Sequence, residues 1–137
     1  MRTYPLVTEA VQTTRRTELV DVTARVQQAV SATTATGGFA VLSVPHTTAA
    51  LTINENADPD VQHDLMRKLD ELLPQREPYY RHSEGNSDSH LKSSLLGSTL
   101  TVIIEQGRLV LGTWQAIYLC EFDGPRDRRL LIKVIGE

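Results

Sequence analysis

The chain has 137 residues, 40% hydrophobic and 23% charged, which is the size and composition of one folded globular domain. Its 14 basic and 17 acidic residues give a formal net charge of −3, so bulk charge gives no reason to expect binding to nucleic acid or an anionic membrane. The single cysteine excludes an internal disulfide and a zinc site built from several thiolates. Without a long apolar run or a signal-peptide core, we expect a cytoplasmic protein with one domain over residues 1–137.

The first half of the chain predicts strands followed by a helix and two more strands. Residues 1–20 are rich in Thr and Val and predict one or two strands, such as a hairpin that breaks near residues 13–16. Residues 22–32 follow a helical period, and Gly37 and Gly38 come soon after it. The apolar run 39–44, which Pro45 ends, and residues 49–53 predict the next two strands.

The second half predicts helices and then strands. Asp58 and Pro59 are a strong helix start, and the apolar period continues to residue 73. A polar loop over residues 79–88 precedes a short helix over 89–96, and residues 99–104, 108–111, 116–122 and 130–135 predict strands. Strands at both ends with helices between them predict an α+β fold, with a mixed, mostly antiparallel sheet and two to three helices.

Three of the four histidines lie at predicted element ends, where reactive side chains stay accessible on a rigid scaffold. His46, His82 and His90 could supply the three imidazoles of a catalytic zinc site, with water as the fourth ligand. Their spacing is no local signature, so the alternative is that each forms local hydrogen bonds or faces solvent. His63 points away from the apolar face of its helix, and we expect it to face solvent.

Two acidic residues are candidates for proton transfer. Asp64 lies at the margin of the predicted buried face of its helix, where it could orient a ligand histidine, bind a cation or act as a base. Glu84, two residues after His82, could be a general acid or base beside a metal-bound water. The alternatives are a partly exposed helix carboxylate for Asp64 and a solvated loop residue for Glu84.

Phosphate or ring binding is the second chemistry that the sequence offers. A helix start near Ser89, together with Lys92 and nearby serines, could hold a phosphate, and otherwise it is an ordinary amphipathic helix. The arginines at positions 126, 128 and 129 could bind phosphate in a bidentate manner or form a solvated turn. Trp114 could stack on a flat ligand or pack in a core or an interface.

Six short segments together carry a resemblance to one family. They are His46-Thr47-Thr48-Ala49-Ala50-Leu51, Asn54-Glu55-Asn56-Ala57-Asp58-Pro59, Tyr80-Arg81-His82-Ser83-Glu84-Gly85, His90-Leu91-Lys92-Ser93-Ser94, Gly112-Thr113-Trp114-Gln115 and Arg128-Arg129. Each is weak by itself, but six in this order are specific. From Phe39 onward the chain resembles the YjbQ family, also called the secondary thiamine-phosphate synthase family.

The resemblance implies a compact α+β fold, a homotrimer and a polar pocket near a subunit boundary. It places His46, His82 and His90 at a shared polar or metal site and matches Glu55, Asp64 and Glu84 to acidic positions. The implied reaction joins a pyrimidine pyrophosphate to a thiazole phosphate and releases pyrophosphate. The resemblance then implies substrate contacts by Lys92, Ser93, Trp114, Gln115, Arg128 and Arg129. Magnesium suits pyrophosphate better than zinc does.

Three functions therefore stay open at the level of the sequence. The first is an enzyme of the thiamine-phosphate synthase type, with low activity. The second is a hydrolase of a small phosphorylated or amide compound, in which the three histidines hold a metal and Glu84 or Asp64 is the base. The third is a non-catalytic trimer that binds a small ligand or a metal. Each expects a small-molecule partner and neither nucleic acid nor a membrane.

Overall fold

Two antiparallel sheets and three helices make up the fold in the computed structural model, which describes residues 1–137. In chain order the elements are β1 (Arg2–Thr3), β2 (Val7–Gln12), β3 (Glu18–Asp21), α1 (Thr23–Ser31), β4 (Gly37–Ser43), β5 (Ala49–Glu55), α2 (Pro59–Leu72), α3 (Ser87–Leu96), β6 (Thr99–Glu105), β7 (Arg108–Leu109), β8 (Gln115–Glu121) and β9 (Asp127–Gly136).

The larger sheet has the strand order β1-β9-β4-β6-β7, with β2 also paired to β9, and the smaller sheet has the order β3-β8-β5. Every strand pair is antiparallel, which confirms the α+β fold class, although the sheets are not mixed. The predicted N-terminal hairpin is wrong: β2 pairs with β9 and β3 pairs with β8. The segment 13–16 therefore crosses from one sheet to the other.

The main core lies where both sheets and α1 contribute apolar side chains. Alternate residues of β9 are buried, as expected for a strand with one face on a core. In contrast, residues 116–121 of β8 are all buried, because a second apolar cluster packs on the other face of the small sheet. This second cluster includes Leu69 from α2, with Leu96 at the end of α3 packed against it.

Helix α2 begins as predicted but is poorly buried. The Asp58 side chain accepts a hydrogen bond from the Asp60 backbone N–H, and Pro59 occupies the first turn. Of the predicted apolar face, only Leu69 is buried, and Leu72 is 59% exposed. This 14-residue helix is the longest in the chain, and no helix is long and apolar enough to cross a membrane.

Candidate functional site

One edge of the fold brings together the segments that follow β4 and β8, the start of β9 and the N-terminal half of α3. A cavity of about 330 Å³ opens between them. We call it the arginine cavity, and its polar lining includes His46, Glu84, Asn86, His90, Arg126 and Arg128. The sequence predicted four of these as site residues, and Arg126 as part of a phosphate-binding cluster. Asn86 had no assigned role.

The floor of the arginine cavity is a buried ion pair between Arg128 and Glu121. Arg128 Nε donates to Glu121 Oε1 over 2.8 Å, while Nη2 donates to Glu121 Oε2 and to Thr48 Oγ1 over 2.8 Å. Glu121 also accepts hydrogen bonds from the Thr13 hydroxyl and the Asp123 backbone N–H. Burial alone would raise the pKa of Glu121, but the hydrogen bonds, that from Arg128 foremost, lower it. Arg128 is thus held rigidly, and its Nη1 has no hydrogen-bond partner in the protein.

His46 is a neutral hydrogen-bond donor in this cavity. Its Nε2 accepts a hydrogen bond from the Arg129 backbone N–H over 2.9 Å, so the ring proton is assigned to Nδ1. Burial lowers the pKa of His46, the positive charges of Arg128 and Arg129 lower it further, and Glu121 opposes them weakly. The charges around His46 are therefore mainly positive. Its Nδ1–H has no protein acceptor and can donate to an anionic ligand.

His90 lies between the arginine cavity and the predicted third histidine. The rings of His82 and His90 meet edge to face, with centroids 5.2 Å apart. His82 Nε2 is 3.4 Å from Glu84 Oε2, so the predicted proximity of Glu84 to His82 is present in the structure. His46 and His90 line the arginine cavity together, whereas His82 contacts His90 from outside it.

The three histidines do not form a zinc site within one chain. No three histidine, cysteine or acidic side chains lie close enough to hold one metal ion. Moreover, the lone pair of His46 Nε2 is already used by the Arg129 N–H, and Nδ1 carries the proton. The predicted ligand set therefore does not fit zinc as the chain is folded.

Two buried polar atoms lack a hydrogen-bond partner, and both border His90. They are Asn86 Oδ1 and Ser93 Oγ. Asn86 Nδ2 donates to Asp123 Oδ2 over 2.8 Å, which fixes the orientation of the amide. Ser93 lines an adjoining cavity of about 500 Å³ that it shares with His46 and His90. Because leaving buried polar groups unpaired costs stability, these atoms are suited to a bound water or a ligand.

The surroundings of Lys92 do not favour the predicted contact with a phosphate. Lys92 is almost fully buried, and its Nζ donates to Asp70 Oδ1 over 2.5 Å and to Asp88 Oδ2 over 3.1 Å. Asp88 and Lys92 are four residues apart on α3, so they share its inward face. Asp88 also receives hydrogen bonds from Arg16. The Lys92 ammonium is already neutralised by carboxylates and does not line the arginine cavity.

Two further predicted substrate contacts lie at the opposite end of the small sheet. Trp114 immediately precedes β8, and Gln115 is paired in register with Glu55. Six residues of extended strand separate Gln115 from Glu121, a distance of about 20 Å. Trp114, Gln115 and Glu55 therefore do not share the arginine cavity within one chain.

Asp64 is also remote from the cavity. Its side chain is 80% exposed and lies 3.1 Å from His63 Nδ1, and His63 faces solvent as predicted. The expected position of Asp64 at the margin of a buried face is wrong, because α2 buries only Leu69. Arg129 is exposed, and its contact with His46 is made by the backbone, which leaves its guanidinium free of ion pairs.

Comparison with known proteins gives one consistent result. A family model described as UPF0047 protein YjbQ-like matches residues 8–137. UPF0047 protein YugU of Bacillus subtilis is 51% identical over 96% of this chain and 99% of its own length. UPF0047 protein MJ1081 of Methanocaldococcus jannaschii is 50% identical over 93% of this chain and 91% of its own length.

Comparison with solved structures points to the same family. An uncharacterised conserved protein of the same family from Clostridium acetobutylicum superimposes with a TM-score of 0.92 at 48% identity, over 94% of this chain and 99% of that one. A YbjQ-like protein of unknown function from Sulfolobus solfataricus gives a TM-score of 0.93 at 33% identity, over 99% of both chains. The names of these proteins state no substrate, so the chemistry must be argued from the site.

Proposed function

The chain belongs to the YjbQ-like UPF0047 family, and from its cavity we propose that it is an enzyme that acts on a small phosphorylated compound. The observation that carries the proposal is the set of free donors around His46. His46 Nδ1–H and Arg128 Nη1 have no protein acceptor, and the Arg129 guanidinium makes no ion pair. Positioned donors of this kind recognise phosphate oxygens and stabilise charge that develops on a leaving group.

The specific reaction that we propose is the formation of thiamine phosphate, which the family resemblance implies. In this reaction the methylene carbon attached to the pyrimidine ring loses its bond to a pyrophosphate oxygen, and the electron pair leaves with pyrophosphate. A bond from the thiazole nitrogen to that carbon replaces it. The arginine cavity supports this assignment because donors facing the departing pyrophosphate lower the cost of its new charge. The His90 imidazole makes no hydrogen bond in the chain and lines the arginine cavity, so it is free to contact the substrate next to them.

The first test of the proposal is pyrophosphate binding by calorimetry. We expect wild-type protein to bind pyrophosphate and Arg129→Gln to bind it about tenfold more weakly, since one of the free cationic donors around His46 is lost. Arg129 is exposed and contacts His46 only through its backbone N–H, which the substitution keeps, so this variant should fold. Arg108→Gln, at an exposed arginine in β7, is the matched control and should bind as wild type does.

The second test is turnover with the pyrimidine pyrophosphate and the thiazole phosphate. We expect slow formation of thiamine phosphate that is lost in His90→Ala while pyrophosphate binding persists. Wild-type protein that binds no pyrophosphate would overturn the phosphate site. Pyrophosphate binding without turnover would overturn the synthase reaction and favour the third hypothesis, a non-catalytic binding protein.

The metal-dependent hydrolase is tested separately by metal content. The protein is purified without a histidine tag, and transition metal per chain is measured for wild type and His90→Ala. Because His46 Nε2 is engaged by the backbone, we expect no stoichiometric metal that depends on His90. A near-stoichiometric metal that is lost in His90→Ala would contradict this expectation and support the hydrolase.

Assembly as a homotrimer belongs to the same proposal. The exposed apolar side chains of Leu72 and Trp114 support it, since large apolar side chains of this kind are commonly covered by a partner. A partner subunit could also bring Trp114 or Glu55 of its own chain toward the arginine cavity. A cytoplasmic location stays a prediction of the sequence.

A further inference from the structure

A second cavity adjoins the arginine cavity on the other side of His90. It measures about 480 Å³, and its walls include Tyr79, Tyr80, His82, His90 and Leu91. We call it the tyrosine cavity. Four of these five side chains carry a planar ring, and Arg81 and Ser87 complete the lining. The arginine cavity, in contrast, has no tyrosine in its lining.

The rings of the tyrosine cavity form two pairs, and in each pair the edge of one ring contacts the face of the other. Tyr79 and Tyr80 meet at 84° with centroids 5.3 Å apart, and His82 and His90 meet at 90°. The Tyr80 hydroxyl donates to the Pro74 carbonyl over 2.9 Å, which fixes one ring of the wall. Rings in this arrangement offer both an edge and a face to a flat aromatic group, and ring quadrupoles favour both offset stacking and edge-to-face contact.

Two of the wall residues are apolar and open to solvent. Tyr79 is 73% exposed and Leu91 is 42% exposed. Neither is needed to cover the core of the chain, since both clusters of buried apolar residues exclude them. A ring that entered the cavity would cover this apolar surface and gain binding free energy from its removal from water.

His90 is the residue that connects the two cavities, because it lines both. A molecule with a phosphate among the arginines would therefore extend past His90 toward the tyrosines. The sequence assigned ring packing to Trp114, but that residue precedes β8 and does not line the tyrosine cavity. The tyrosine cavity offers the ring contact that Trp114 cannot make in the same chain.

We propose that the tyrosine cavity is a ring subsite, which binds the flat heteroaromatic group of a substrate whose phosphate lies in the arginine cavity. This inference rests on the proposed function and names the substrate class for it. Tyr79 is then a residue that determines specificity, and it contributes through the area and the face of its ring.

The inference is tested by calorimetry, in which three phosphates that differ in the group attached to the phosphorus are titrated into the full chain. The probes are inorganic phosphate, glycerol 3-phosphate and phenyl phosphate, and the variants are Tyr79→Ala, Tyr79→Phe and the control Leu95→Ala. Leu95, 63% exposed, is nearly as exposed as Tyr79 but does not line the tyrosine cavity. We expect wild type to bind phenyl phosphate about tenfold more tightly than glycerol 3-phosphate.

Tyr79→Ala should reduce that preference to less than about threefold and leave the affinity for inorganic phosphate unchanged. Tyr79→Phe and Leu95→Ala should keep the preference. Equal affinity of wild type for the two organic phosphates, or a preference that survives Tyr79→Ala, would overturn the ring subsite while the phosphate site stands. Binding of none of the three probes would overturn the phosphate site and the ring subsite together.

Discussion

The ion pair of Glu121 and Arg128 predicts a specific loss of stability at the residue level. Glu121→Gln removes the negative partner and leaves Arg128 buried, so we expect the free energy of unfolding to fall by about 3 kcal/mol at pH 7. Glu84→Gln, at an exposed carboxylate of the same cavity, is the control and should change it by less than about 0.5 kcal/mol. Chemical denaturation measures both, and similar losses in the two variants would contradict the role of the ion pair.

The ion pair of Glu121 and Arg128 also determines how the stability of the fold changes with pH. The pKa of Glu121 is lowered in the folded protein, so its stabilisation is present above the pKa of an unfolded glutamate, near 4.3, and is lost as pH falls through the lower folded value. The difference between wild type and Glu121→Gln should therefore be constant from pH 7 to about pH 5 and shrink in stronger acid. A difference that grows on acidification would contradict the lowered pKa.

Individual site residues were predictable only where function requires a residue type that is unusual at its position. His46, His90 and Arg128 could be chosen because imidazoles and clustered arginines at element ends suggest chemistry. Glu121 could not be chosen, since a strand position between Cys120 and Phe122 gives no sign that its carboxylate pairs with Arg128, seven residues later. The ion pair of Lys92 with Asp88 could be predicted from the sequence, because Asp88 lies four residues before Lys92.

At the level of elements, the buried charges of α3 connect three parts of the chain. Lys92 binds Asp88 on its own helix and Asp70 on α2, while Arg16 from the segment between β2 and β3 binds Asp88 as well. Burial by itself raises the pKa of Asp88, but the hydrogen bonds from Arg16 and Lys92 lower it. The network therefore positions the helix that carries Asn86 and His90.

Lys92→Met keeps the length of the side chain and removes its charge. We expect the free energy of unfolding to fall by about 3 kcal/mol, because Asp88 loses one of two cationic partners and Asp70 loses its only one. Phosphate affinity of the folded variant should stay within about twofold of wild type, since Lys92 does not line the arginine cavity. Lys68→Met, on the exposed side of α2, is the control. A large loss of phosphate affinity with little loss of stability would restore Lys92 as a substrate ligand.

The elements themselves were largely predictable, whereas their partners were not. Period and caps located α2 and α3, and Gly97, at a φ of 98°, ends α3 as predicted. The alternation of apolar residues identifies a strand but carries no information about which strand lies beside it. The first twenty residues illustrate this, since their two strands join different sheets through pairs with β9 and β8.

At the level of the whole molecule, the exposed apolar face of α2 predicts assembly. Its apolar stripe packs on the second apolar cluster through Leu69 and the partly buried Leu65, whereas Leu72 at its end is 59% exposed. The helical period correctly identified an amphipathic helix, and we predict that a partner subunit covers the exposed end of its apolar face. The trimer that the family resemblance implies supplies such a partner.

Native mass spectrometry and light scattering should therefore give about three times the 15.2 kDa of one chain. Leu72→Lys places a charge in the exposed stripe, and we expect it to shift the mass toward that of a single chain, because an unpaired charge in an apolar interface is costly. Leu6→Lys, at a similarly exposed leucine between β1 and β2, should leave the trimer intact. A wild-type mass of one chain would contradict the trimer. A trimer that is unaffected by Leu72→Lys would instead exclude α2 from its interface and leave Trp114 as the next surface to substitute.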